Sequence, residues 1–472
     1  MMISRLMQSL VSIGATMVLA RLLSPRDFGL IAMTMTLTGL ATTLRGFGLS
    51  MALIYVPELD RTTLSRLFRL NFRLSALMGL FMAAMAPILS WFFKEPVLAG
   101  MTLLITVGIF LSGISELHLG LLRRWMRFGA ISWVELGSLT VGATVGIIVA
   151  LAGASYWALA LQMLAVHLSM AGIAWLKCGW RPSGSWEQTS ESEARLGSIL
   201  SYGKNTILAR LLGYLETQLD HILVGRFAGT GQLGLYQKAF QWSNFPVNQL
   251  YMPFKMVAIA TWSRLQGDPD KYRSYARKTF LVVFSLTTPA IGFLFVEVHD
   301  VVLLLLGPKW MAVVPIFRVM AVMAFADCVG RITKWIYQAE GQTRRRLTWM
   351  IISTPLKITG MVLGIPWGAL GIAVGYTAAV CLLAYPAVLF CLRVSPLKPR
   401  DFWAGVWRPA LTTLIVCTLF TAFQEAMPRW EALPARLAGQ AGAYLAFITG
   451  IWVALPGGVA SLREIVKAIR RR

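Results

Sequence analysis

The sequence predicts an all-α integral membrane protein of about fourteen transmembrane helices, built as two six-helix lobes related by a parallel internal repeat, with two C-terminal helices appended. Three observations predict it. Of 472 residues, 57% are hydrophobic and only 14% charged, with a mean hydropathy of +0.64, more apolar than a water-soluble chain of this length requires. Apolar stretches long enough to span, about 20 residues each, follow one another with short interruptions. Finally, a segment near the start recurs near the middle at a constant offset.

The first apolar run, Ile3 to Leu23, is too long for a signal-peptide core and ends in Ala20-Arg21-Leu22-Leu23-Ser24-Pro25 without a convincing cleavage site, so it reads as the first spanning helix. The others are expected at 28–54, 67–93, 97–116, 130–152, 156–176, 199–224, 233–256, 278–299, 311–335, 347–364, 368–392, 404–424 and 437–456. This divides the chain into an N-terminal lobe (1–176), a cytoplasmic linker (177–198) with Pro182, Gly184 and a Ser/Glu-rich stretch, a C-terminal lobe (199–392), and two final helices with a basic cytoplasmic tail (393–472). The first span opens short against the seventh, so it is expected to be trimmed or to have its start codon misplaced. Gly142 with Gly146 and Gly371 with Gly375 read as close helix packing. Trp91, Trp310, Trp403 and Trp407 read as interfacial anchors.

An even number of spans puts both termini on one side, and the basic residues choose it. One set of loops and tails holds thirty Lys and Arg, the other seven: Arg21, Arg26, Lys94, Arg226, Lys309, Arg429 and Arg436. Both termini are therefore expected in the cytoplasm of a cell with the chain in its inner membrane. The net charge of +23 is largely this topology signal, suited to anionic lipid headgroups. A nucleic-acid binder would gather such charge on a soluble module, and none is left over. Cys178, Cys328, Cys381, Cys391 and Cys417 have no CxxC or disulfide-type spacing, and His118, His167, His221 and His299 form no ligand cluster, so no metal site and no cofactor are expected. The outward loops are too short for the acid–base chemistry of a glycosyltransferase or ligase, so no catalytic residue is expected.

The offset is 205 positions: Ala20-Arg21-Leu22 with Phe28-Gly29-Leu30 returns as Gly225-Arg226-Phe227 with Leu233-Gly234-Leu235, and Arg5 returns as Arg210. Six spans precede the second copy, so both enter the membrane in one orientation.

Residues three or four apart share a helix face. Polar stripes at that spacing occur in the first two spans of each lobe: Ser4, Gln8, Ser12 and Thr16; Thr34, Thr38, Thr42 and Arg45; Thr206, Arg210, Thr217 and Asp220; Gln237, Gln241, Asn244 and Asn248. Ser and Thr often bond their own helix, whereas a charge near the bilayer centre costs about 2.5–3.5 kcal/mol on insertion scales and needs a reason. Arg331 sits one turn from Asp327 and, with Lys334, reads as a structural pair that snorkels; Lys238 is near a helix end and snorkels too. Arg45, Arg210, Arg318 and Lys357 are deeper and become candidate cavity cations. Glu216 and Asp220 are their counter-ions or the coupling carboxylates for H+ or Na+. Thr38, Thr42, Gln237, Gln241, Asn244 and Asn248 are expected to line the cavity.

The run Leu19 to Leu30, then Gly48-Leu49-Ser50-Met51-Ala52-Leu53-Ile54, Leu219-Asp220-His221-Ile222-Leu223-Val224-Gly225-Arg226, Ser263-Arg264-Leu265-Gln266, Leu306-Gly307-Pro308-Lys309-Trp310 and Gly364-Ile365-Pro366-Trp367-Gly368-Ala369, resembles polysaccharide-export flippases of the Wzx type, over about residues 1–395. These belong to the multidrug/oligosaccharidyl-lipid/polysaccharide exporter superfamily. The resemblance implies two lobes around a cationic cavity, alternating access, and export of an undecaprenyl-pyrophosphate-linked oligosaccharide for O-antigen, capsule or exopolysaccharide, with the polysaccharide polymerase machinery as a partner. It also implies that Arg45 and Arg21 hold pyrophosphate. One departure is Gly46, where many relatives carry Asp after the arginine. The rival readings are a multidrug exporter of the same superfamily, which would want more carboxylates than bases, and a membrane polymerase or ligase.

Overall fold

A computed structural model describes residues 2–45, 61–182, 213–214, 216–424, 432–455 and 458. Every long element among them is a helix, as a chain crossing hydrocarbon must be when each backbone N–H and C=O has to find its partner within the protein. The helices are α1 (Met2–Leu22), α2 (Pro25–Arg45), α3 (Arg61–Phe93), α4 (Val97–Arg124), α5 (Phe128–Leu151), α6 (Trp157–Cys178), α7 (216–223, continued by a π-helical turn at Val224–Ala228), α8 (Thr230–Arg264), α9 (Pro269–Val296), the short α10 (Val298–Leu305), α11 (Val313–Ala339), α12 (Thr343–Leu363), α13 (Gly368–Leu392), α14 (Pro399–Gln424) and α15 (Leu433–Ala454). Nine of the described helices are long and apolar enough to cross a membrane, and the protein is a multi-pass membrane protein. α1, α2, α8 and α12 fall outside that nine, and all but α12 carry polar stripes. Most of the seventh expected span, with Arg210 and Thr206, lies outside the described residues, as do 183–198 of the expected linker.

The chain forms two compact units, Met1–Gly234 and Leu235–Arg472, the division falling within α8. In the first, α6 packs on α4 and α5, α3 on α4, and α1 on α5. In the second, α13 packs on α11 and α12, and α9 on α14. The fourth and fifth spans against the sixth, and the tenth and eleventh against the twelfth, are thus the same scheme used twice. Small residues make these contacts possible. A Cβ on Gly142 would strike Val166, and the backbones at Gly360 and Gly375, like those at Gly364 and Gly371, meet directly.

The Ser-Pro-Arg-Asp sequence at 24–27 is a capping box that starts α2. Ser24 N and Oγ donate to Asp27 Oδ2 (2.8 and 2.6 Å), Asp27 N returns to Ser24 Oγ, and Pro25 fills the first helical position, where no N–H is needed. Asp27 also accepts from Ser155 Oγ in the α5–α6 turn. At the same end Arg26 pairs with Glu95 in the α3–α4 turn at 3.1 Å, and Thr230 Oγ1 donates to Glu95 Oε1 at 3.3 Å. Gly229 turns the chain into α8 with φ +86°, a conformation that favours glycine.

Here the repeat becomes a contact. A Cβ on Gly29 would overlap the carbonyl oxygen of Thr230, and a Cβ on Gly234 would overlap that of Pro25. Gly29 and Gly234 are related by the offset of 205, as are Pro25 and Thr230, so repeat-related stretches 25–29 and 230–234 cross reciprocally. Trp310 departs from its expected interfacial place: it is wholly buried in the turn after α10, whereas Trp91 is 80% exposed.

Candidate functional site

The polar stripe of α8 meets a charged stretch of α11. Along α8, Lys238, Gln241, Asn244, Asn248 and Tyr251 recur at three- or four-residue spacing and so share a face. Arg331 on α11 is held by this face. Its Nε donates to Asp327 Oδ2 at 2.6 Å one turn earlier, its Nη1 to Asn248 Oδ1 at 2.8 Å and its Nη2 to Asn244 Oδ1 at 3.0 Å. The guanidinium lies 5.8 Å from the Tyr251 ring centre. Asn244 is anchored in turn, donating to Phe240 O at 3.1 Å. Lys238 is buried and donates to Gln241 Oε1 at 3.2 Å.

Asp327 feels the positive charge of Arg331, Lys334 and Lys357, the last from α12. Arg331 thus pairs directly with this carboxylate, while Lys334, exposed one turn further along α11, and Lys357 act on it electrostatically. Such an excess of positive charge is suited to an anion with several acceptor oxygens, which a planar fork and point-charge ammoniums recognise.

The candidates read from sequence are distributed as follows. Gln241, Asn244 and Asn248 come together at this site, and Lys357 lies within its electrostatic reach. Gln237 is half-buried on the same helix. Arg318 is exposed on α11, nine residues before Asp327 and so about 13 Å away along the axis. In the first unit, Arg21 is exposed at the end of α1, and Arg45 is the last residue of α2, described by its backbone alone. Arg210 lies outside the described residues. Asp220 is buried, its Oδ1 accepting from both His221 N and His221 Nδ1 at 2.8 Å, and Glu216 is half-buried one turn before it. Thr38 and Thr42 bond backward to Thr34 O and Gly39 O, both at 2.9 Å. That is the backbone-satisfying role Thr often takes in a helix.

Two sequence readings are corrected. Lys238 does not snorkel, being buried against Gln241. Arg331 does pair with Asp327, but the pair is also bound into the α8 stripe rather than standing alone. The signal was present in the Gln/Asn stripe, since amides at helical spacing in a membrane helix need partners. Glu135 was missed: it accepts from Gln8 Nε2 at 3.0 Å and so gives the stripe of α1 a partner on α5. Among the described residues, no three His, Cys, Asp or Glu side chains converge as metal ligands.

Known proteins agree with this architecture. The lipopolysaccharide biosynthesis protein WzxC of Escherichia coli is 23% identical over 84% of this chain and 82% of its own. The succinoglycan biosynthesis transport protein ExoT of Rhizobium meliloti is 22% identical over 84% and 80%. In fold, the chain matches an inward closed conformation of the lipid II flippase MurJ with a TM-score of 0.73, covering 96% of this chain and 98% of that one at 13% identity. The profile of a family described as polysaccharide biosynthesis protein matches residues 18–315, well over half of the sequence, and the chain therefore belongs to that family.

Proposed function

We propose that this protein is a flippase of the bacterial inner membrane, carrying an undecaprenyl-pyrophosphate-linked oligosaccharide from the cytoplasmic to the periplasmic leaflet by alternating access. The observation that carries this reading is Arg331 held by Asp327, Asn244 and Asn248, with Lys334 and Lys357 adding positive charge at the same carboxylate, within a chain of the polysaccharide biosynthesis family. A pyrophosphate supplies the missing negative charge. Arg21, Arg45, Arg210 and Arg318 would add to the same cationic path, with Asp220 and Glu216 as counter-ions or coupling groups. The amides of Gln237, Gln241, Asn244 and Asn248, with Thr38 and Thr42, would solvate sugar hydroxyls while the prenyl chain stays in lipid. Both termini would face the cytoplasm, as the thirty-to-seven distribution of basic residues favours. An inside-negative potential of 100 mV then favours outward movement by about 2.3 kcal/mol for each negative charge carried.

The test is translocation of a lipid-linked oligosaccharide by the purified chain in proteoliposomes, with efflux of a cationic drug measured in parallel. Replacing Arg45 and Arg210, or Arg331, by Ala should lower translocation about tenfold or more, as loss of a charge-assisted contact of 1.5–3 kcal/mol implies. Undiminished translocation by all of these variants, or transport of the drug alone, would overturn the reading.

A further inference from the structure

An apolar groove of about 640 Å³ runs between α12 and α13. Its floor is backbone. Gly360 meets Gly375 and Gly364 meets Gly371 so closely that no Cβ fits between them, leaving Leu356, Leu363, Trp367, Val374 and Leu382 to stand as walls. All five wall residues are exposed, Trp367 to 74%. Thr359 is the only polar side chain lining the groove among the described residues, and its hydroxyl donates to Pro355 O at 3.0 Å. A volume in the range of ordinary ligand pockets, about 300–1,000 Å³, combined with such a lining, selects a hydrocarbon ligand. Because the groove opens along α13, a helix long and apolar enough to cross a membrane, beside α12, where the sequence predicts the eleventh span, that hydrocarbon comes from lipid.

Charge narrows the choice. Lys357 follows Leu356 directly and lies one turn before Gly360, so it flanks the groove-lining stripe of α12. It also acts electrostatically on Asp327, beside Arg331 and Lys334. The same helix therefore presents a hydrocarbon groove on one face and, on the next, a cation whose charge reaches the Arg331–Asp327 pair. A lipid with an anionic head satisfies both.

We infer that the α12–α13 groove seats the polyprenyl chain of the anionic carrier lipid, with the head directed to the Lys357 side; the choice of a polyprenyl over an acyl chain rests on the proposed cargo. The chain stays in hydrocarbon while its head moves along the polar path, and a groove open to the bilayer lets the two remain connected.

The experiment uses the full chain in vesicles of phosphatidylcholine with brominated acyl chains, which quench nearby tryptophan. The groove component is the difference between the wild type and Trp367→Phe. A polyprenyl phosphate at low mole fraction should relieve most of that component. The uncharged polyprenol of equal length should require several-fold more, and Lys357→Gln should make the two equivalent. Relief by phosphatidylglycerol as effective as by polyprenyl phosphate would mean an ordinary lipid annulus and overturn the inference, as would no relief at all. Translocation is followed in the same vesicles. Transport without relief would overturn the groove alone, whereas relief without transport would leave the groove and remove the flippase reading.

Discussion

Arg331 makes three hydrogen bonds through three different nitrogens, so its plane is set by Asp327, Asn244 and Asn248 before any ligand arrives. Hydrogen bonds to charged groups contribute about 1.5–3 kcal/mol each, so Asp327→Ala should lower the melting temperature measured by thermal unfolding in detergent. Arg331→Gln in that background should cost less than Arg331→Gln alone, because the partners act as one unit. At the turn between α9 and α10, Glu297 is buried beside Gln424, which donates to it, with Asp300 nearby and paired to Arg436 at 2.6 Å. Burial, reinforced by the charge of Asp300, raises its carboxyl above the ordinary range, against the opposing effects of Gln424 and Arg436. A carboxyl raised on folding gives stability that is full below its unfolded pKa and lost as pH climbs through the folded one. Glu297→Gln should therefore match the wild type in acid and exceed it in melting temperature at neutral pH. The sequence disclosed the Arg331–Asp327 spacing, but not that two amides from a distant helix complete it, since helical periodicity fixes faces and not which faces meet.

At the scale of elements, the crossing of α2 and α8 depends on Gly29 and Gly234 having no side chain. Overpacking of this kind costs about 1–3 kcal/mol, so Gly29→Ala and Gly234→Ala should each lower folded yield and melting temperature. The double variant should lose less than the sum, since separating the backbones for one methyl makes room for the other. Gly231→Ala is the control, because a Cβ there meets nothing within 4 Å. The repeat that marks these glycines was legible from an offset of 205 residues, yet an offset reveals likeness without revealing adjacency. Helix starts were harder to place than helix bodies. The expected ninth span begins at 278, whereas α9 begins at Pro269, because Asp268 caps it by accepting from Lys271 N and Pro269 occupies its first position. Those are polar residues outside the apolar window, and their capping chemistry extends the helix beyond the hydrocarbon signal.

For the whole molecule, the fold class follows from hydropathy because a membrane leaves the backbone almost no alternative to helices. The short helix α10 begins at the end of the expected ninth span and runs beyond it to Leu305, separated from α9 by Glu297. In the candidate site the amides Gln241, Asn244 and Asn248 and the cation Lys357 were named from sequence, whereas Arg331 and Lys334 were read as a structural pair, because their grouping with the amides needs the packing of α8 on α11. The reciprocal meeting of Gly29 with Thr230 and of Gly234 with Pro25 has one more implication. When residue i of one copy touches j of the other, and j of the first touches i of the second, the pattern is that of an isologous interface. A methyl group on either glycine would therefore press on the stretch that carries the other, so that a disturbance at one end of the crossing is felt at both.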